Sequence, residues 1–201
     1  MSTLTSGLRD LPAAFLERIE RAYAQPPRAY HNWSHIQAFL RELERVAAGP
    51  AWRQPFEVTL AALFHDAVYD AGRKDNEAKS AELALESITR ELPDRAIDAE
   101  RVRQLIMLTA RHGSNTAAVD LDAQHFLDAD MAILGATPAE FDAYDRGIAE
   151  EYAPHVNTLL YRFGRRRFLS RLLDSKRIFL SDFFHDRLDA PARANLRRAL
   201  E

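Results

Sequence analysis

Val58-Thr-Leu-Ala-Ala-Leu-Phe64, followed at once by His65-Asp66, is the stretch on which the reading of this chain turns. Seven residues that are apolar nearly all round mark a helix buried on every side. An imidazole and a carboxylate then arrive together at its end. Burying that pair is costly unless something satisfies both, and a divalent cation would. His35 upstream, and His112 and Asp130 downstream, each adjoin an apolar helical run of their own. Well-separated segments can therefore deliver nitrogen and oxygen ligands to one point.

Around this stretch, helical spacing dominates. Leu11, Phe15, Ile19 and Tyr23 recur every four residues after Asp10, a suitable N-cap, and Pro26-Pro27 ends that helix. A second run carries Ile36, Phe39, Leu40, Leu43 and Val46 and stops at Gly49-Pro50. The third spans Phe56 to Tyr69 and ends near Gly72; the fourth begins at Asp75 or Asn76 and stops before Pro93. A fifth runs from Asp98 toward Gly113, and Gly113-Ser-Asn-Thr116 is a loop by composition. Phe126 to Leu134 reads as a short buried helix closed by Gly135, and Thr137-Pro-Ala-Glu140 is a capping box that opens another. The remainder keeps a helical period, and no run alternates with period two. The expectation is an all-α helical bundle forming a single domain over residues 1–201.

The bulk numbers narrow the function. With 201 residues the chain can bury a sizeable core. Its formal charge is −3, from 27 basic and 30 acidic residues without a long block of either sign, so general nucleic-acid binding is not expected. The absence of cysteine excludes disulfides, zinc–thiolate sites and a thiol nucleophile. No signal-peptide core and no membrane-length apolar stretch is present. A soluble cytoplasmic protein with no membrane partner is expected.

Hydrolytic metal sites need imidazole and carboxylate ligands on rigid elements, with coordination positions left open. His35 lies on the second helix, His65 and Asp66 at the end of the third, and Asp130 in Leu127-Asp-Ala-Asp-Met131. Two His and two Asp suit Mn, Fe, Zn, Co or Ni, with Mg disfavoured by the imidazoles. The order His … His-Asp … Asp on a helical chain resembles the HD superfamily of metal-dependent phosphohydrolases. Tyr30-His-Asn-Trp-Ser-His-Ile36, Phe64-His-Asp-Ala-Val-Tyr-Asp70, Asp75-Asn-Glu-Ala-Lys-Ser-Ala81, Leu108-Thr-Ala-Arg-His112 and Leu127-Asp-Ala-Asp-Met-Ala-Ile-Leu-Gly135 resemble the successive motifs of one small bacterial branch of predicted members. Phe163-Gly-Arg-Arg-Arg-Phe168 and Pro191-Ala-Arg-Ala-Asn-Leu196 extend the likeness, which covers roughly Tyr30 to Leu196.

The resemblance implies an HD-type helical bundle with His35, His65, Asp66 and Asp130 as metal ligands, and Asp128 as a partner orienting one of them. It implies hydrolysis of a small phosphorylated metabolite, such as a nucleotide, by metal-activated water. Asp66 and Asp70 would be the catalytic carboxylates, Asp70 handling protons. His31, His112, Lys79 and Arg165 are candidates for contacting substrate, with Arg28, Arg111, Arg166 and Arg167 as further phosphate holders. Ordinary readings stand beside these: an Asx-turn for Asp70, a dipole-favoured helix end for His112, a helix-entry contact for His31, and solvated faces for Lys79 and the arginine cluster. His125, His155 and His185 read as structural or surface residues. Two other functions compete, an HD-fold iron-dependent oxygenase, which would need more histidines, and a non-catalytic metal-binding or sensing domain. Phe179, Phe183 and Phe184 could line an interface in a homo-oligomer.

Overall fold

The computed structural model describes residues 11–26, 28–110 and 119–201. Asp10, Arg111 and His112 therefore lie outside the described residues. Among those described there are nine α-helices, one short 3-10 turn and no strand, so the protein is all-α. No helix among them is long and apolar enough to cross a membrane. The chain divides into two compact units, Met1–Arg111 and His112–Glu201.

The first unit contains α1 (Ala13–Tyr23), α2 (Trp33–Ala48), α3 (Pro55–Phe64), α4 (Asn76–Glu91) and α5 (Ala99–Thr109). Helix α3 is its axis, packed against α2, α4 and α5. Val58 through Phe64 are each at most 2 % exposed, which is why that run needs no polar face. Each fully buried Leu or Phe there stabilises the fold by about 1.5–3 kcal/mol. The one hydroxyl in the run is satisfied locally: Thr59 Oγ1 donates to the Pro55 carbonyl at 2.7 Å. Pro55 stands in the first turn of α3, where its missing N–H forfeits no intrahelical bond. Helix α1 buries Phe15, Ile19, Ala22 and Tyr23, and Phe15 meets Phe64 edge to face at 5.4 Å.

The periodicity carries the third helix to Tyr69, but α3 stops at Phe64. The Ala67 amide donates to the Phe64 carbonyl at 2.9 Å, tightening the last turn. Beyond it, side chains claim the backbone. Ser80 Oγ accepts from the Val68 amide at 3.0 Å and donates to the Val68 carbonyl at 3.2 Å. Asn76 accepts from the Asp70 amide at 3.2 Å and donates to the Asp70 carbonyl at 2.8 Å. Asn76 and Ser80 lie one turn apart on α4 and are buried, so they serve the irregular segment as a paired strand would.

The second unit contains α6 (Leu121–Asp130), the 3-10 turn Met131–Gly135, α7 (Pro138–Tyr152), α8 (Thr158–Asp174) and α9 (Asp182–Leu200). Thr137 and Glu140 form the expected capping box of α7. Helix α9 packs on α6, α8 and the 3-10 turn. Gly135 permits this approach, since a Cβ there would lie 2.8 Å from Leu188 Cβ. The Asn195 side-chain amide donates to the carbonyls of Leu134 and Ala136, both at 2.9 Å. Arg193 donates to the carbonyls of Leu173 and Ser175 at the end of α8. The Pro191-to-Leu196 motif thus reads as architecture. Phe179 and Phe184 are fully buried, so they form core rather than an interface, while Phe183 is half-buried.

Candidate metal centre

His35 sits in the first turn of α2 because Asn32 caps that helix, its side chain accepting from the Ser34 amide at 2.9 Å. His65 is the C-cap of α3, and Asp66 follows in the turn that ends it. The two imidazoles are buried, 6 % and 1 % exposed, and Asp66 is half-buried. His35 Nε2 and His65 Nε2 face each other at 3.1 Å. Asp66 Oδ2 lies 2.9 Å from His65 Nε2 and 3.6 Å from His35 Nε2. Among the described residues, these three form the group of histidine and acidic side chains whose ligand atoms lie close enough to share an ion.

These spacings suit a common cation. Two ligands about 2.1 Å from an ion, at angles of about 90–110°, stand about 3.0–3.4 Å apart. The protonation pattern points the same way. His65 Nδ1 lies 2.9 Å from the Ala62 carbonyl, which can only accept, so Nδ1 carries the proton. In the neutral ring Nε2 is then a bare lone pair, the tautomer a metal ligand requires. That lone pair faces a carboxylate oxygen and a second imidazole nitrogen. One added proton would serve only one of these contacts, whereas a cation serves all three atoms. Three protein donors leave coordination positions for other ligands.

Around the three, aromatic rings close the surroundings. Phe39 meets the His65 ring edge-on at 5.0 Å, and Tyr30 lies 4.9 Å from the His35 ring. His31 stacks on Tyr69 at 4.0 Å, with its Nε2 3.9 Å from Asp66 Oδ2. It stands one step outside the three ligand atoms and is half-buried.

The remaining site candidates fall elsewhere. Asp70 is exposed, and its Oδ1 accepts from the Gly72 amide at 2.8 Å in an Asx-turn. With α3 ended at Phe64, Asp70 does not continue the helical face of Asp66. Lys79 is exposed and pairs with Glu82 at 3.0 Å. Arg28 is engaged with backbone carbonyls, at 2.7 Å from that of Asp66. In the second unit Asp130 is the last residue of α6. Arg165 pairs with Asp145 at 2.8 Å beneath Tyr144 and Phe168, and Arg166 donates to the Leu200 carbonyl. Asp128 accepts from the Leu180 and Ser181 amides, both at 2.7 Å, and from the Ser181 hydroxyl at 2.6 Å, fixing the start of α9. Burial pushes the Asp128 carboxyl up to about 6, against those three hydrogen bonds. Of the resemblance's four ligands, the first unit brings together His35, His65 and Asp66.

Sequence reading missed what holds the Asp66 segment, namely Arg28, Asn76 and Ser80. A signal was available for the last two: they are small polar residues four apart on a face continued by the buried Ala84, Ser87 and Ile88. In comparisons with protein-family models, curated proteins and solved structures, nothing matches this chain.

Proposed function

We propose that this chain is a metal-dependent phosphohydrolase of the HD kind, acting on a small phosphorylated metabolite such as a nucleotide. The observation that carries the reading is the convergence of His35 Nε2, His65 Nε2 and Asp66 Oδ2 within 3.6 Å of one another. Two imidazoles and a carboxylate favour Mn, Fe, Co, Ni or Zn over Mg. When bound, such a cation polarises a phosphoryl oxygen and makes water more acidic. His35, His65 and Asp66 hold it; the Ala62 carbonyl keeps His65 in the tautomer that can do so. In this reading His31, which stacks on Tyr69, hydrogen-bonds an oxygen of the phosphoester. A proton-accepting role for Asp70, whose carboxylate is held by the Gly72 amide, rests on the resemblance alone, because the helix ends at Phe64 and does not carry Asp70 onto the face of Asp66. Roles for Lys79, Arg165 and His112 in holding substrate, and for Asp130 as a ligand, rest on the resemblance alone.

The test is elemental analysis of the purified protein together with a hydrolysis screen of nucleotides and p-nitrophenyl phosphate in each cation. Metal-dependent phosphate release, lost in Asp66→Ala, is expected. Bound metal without release from any phosphoester, or iron-dependent oxygen consumption instead, would overturn the reading. Asp130→Ala measured alongside separates a three-residue site from the four-ligand set, since metal affinity unchanged by that substitution removes Asp130.

A further inference from the structure

We propose that Arg28 is the positioning residue of this metal centre, an inference that rests on the metal reading above. Its guanidinium gathers three carbonyls from two segments. Nη1 donates to the His31 carbonyl at 3.0 Å and to the Asp66 carbonyl at 2.7 Å. Nη2 donates to the Ala67 carbonyl at 2.9 Å. The first segment leads into α2 and carries His35; the second is the turn that carries Asp66. One planar group thus ties the backbone of one ligand to the approach of another.

Asp66 needs that restraint. It follows the end of α3, yet its Oδ2 must stay close to both imidazoles. Asn76 and Ser80 hold the backbone at Asp70 and Val68, and Arg28 holds it at Asp66 and Ala67. The guanidinium is itself fixed by packing. It lies over the Tyr23 ring at 5.1 Å and near the Tyr69 ring at 5.9 Å, and Tyr69 stacks in turn on His31. A rigid fork of donors spanning two segments is a geometry that a lysine ammonium on a flexible stem does not reproduce. Ligands held in place before the ion arrives need not be ordered by it, and groups that orient metal ligands are typically worth about 10–100-fold in affinity.

Cobalt(II) titration of the metal-stripped full chain, followed by the visible absorption of the bound ion, tests this. Arg28→Met is expected to bind cobalt about 10–100-fold more weakly than wild type, with an altered absorption band because the ligand geometry has loosened. Arg28→Lys is expected to fall between the two. Arg18→Met, which breaks the Arg18–Glu91 pair between α1 and α4, should lower the melting temperature while leaving cobalt affinity and band shape unchanged. A folded Arg28→Met protein with affinity within about twofold of wild type and the same band overturns the proposal. If that variant does not fold, Arg28→Lys carries the same test; if neither folds, Arg28 is a residue of the fold and the proposal fails. Wild-type protein that takes up no cobalt overturns the metal reading itself, whereas uptake indifferent to Arg28 overturns only this inference.

Discussion

Removing the Asp66 carboxylate is the sharpest perturbation available, because it deletes one of three donor atoms and the only formal negative charge among them. A ligand that binds only the folded state stabilises it by RT ln(1 + [L]/Kd), about 2.7 kcal/mol at one hundred times Kd. If the whole chain unfolds together, the melting temperature rises by about 5–11 °C. If the first unit melts alone, the same free energy gives about 11–22 °C, so the size of the shift also reports the cooperative unit. Loss of a ligand costs at least as much as loss of a group that merely orients one, about 100-fold in affinity. In Asp66→Ala at the same cation concentration, [L]/Kd then falls to about one and the stabilisation to about 0.4 kcal/mol. That corresponds to a shift of about 1–2 °C for the whole chain. The assay is thermal melting of chelator-stripped protein, followed by helical circular dichroism, with Mn, Fe, Co, Ni or Zn added in turn. An Asp66→Ala protein that keeps the wild-type shift would refute the ligand assignment. So would a wild-type protein that ignores all five cations.

Asp70→Asn should leave metal content intact and lower turnover sharply, since an asparagine oxygen can still accept from the Gly72 amide; unchanged turnover would remove Asp70 from the mechanism. Ser80→Ala removes the side-chain partner of the half-buried amide and carbonyl of Val68 and should cost about 1 kcal/mol in urea unfolding; a loss too small to measure would mean the clamp is dispensable. Gly135→Ala drives a Cβ to within 2.8 Å of Leu188 Cβ and 3.0 Å of its carbonyl oxygen, so about 1–3 kcal/mol of destabilisation is expected, and wild-type stability would contradict it. Because burial raises Asp128 to about 6, its contribution to stability is fully present below about pH 4 and is lost as pH rises through 6, by up to about 3 kcal/mol. Wild type compared with Asp128→Asn should show this slope, and a difference that stays flat between pH 4 and 7 would refute it.

What could be read from the sequence follows how local its physical cause is. The burial of α3 was legible because a run without a polar face has only one stable place to go, and Val58 to Phe64 are buried accordingly. The capping box at Thr137 was legible because both of its bonds are made within four residues. The end of α3 was not. Val68 and Tyr69 keep a helical period, yet the backbone of Val68 bonds to Ser80 and that of Asp70 to Asn76, and that competition is invisible in residues 56–69 alone. Phe179 and Phe184 were misplaced for a related reason, since a cluster of phenylalanines looks the same whether it lines an interface or a core. The loop expected at Gly113-Ser-Asn-Thr116 lies outside the described residues.

The candidate metal site divides along the same line. Which side chains could hold a cation is a matter of their chemistry, so His35, His65, Asp66 and Asp130 could be named as candidates from residue type and order, and the first three come together in the first unit. Ligand orientation is a matter of backbone carbonyls, and every residue carries one, so no motif announces which of them a distant arginine will hold. Arg28 shows the consequence. A guanidinium near a hydrolase-like motif suggests a phosphate clamp, because phosphate oxygens and carbonyl oxygens present the same acceptors to the same fork. Here Nη1 and Nη2 are directed at His31, Asp66 and Ala67 within 3.0 Å. Binding a phosphate through those donors would require releasing the turn that sets Asp66, and the cation site would loosen as the substrate arrived. An arginine that keeps the carboxylate in place is therefore poorly suited to hold substrate through those same donors.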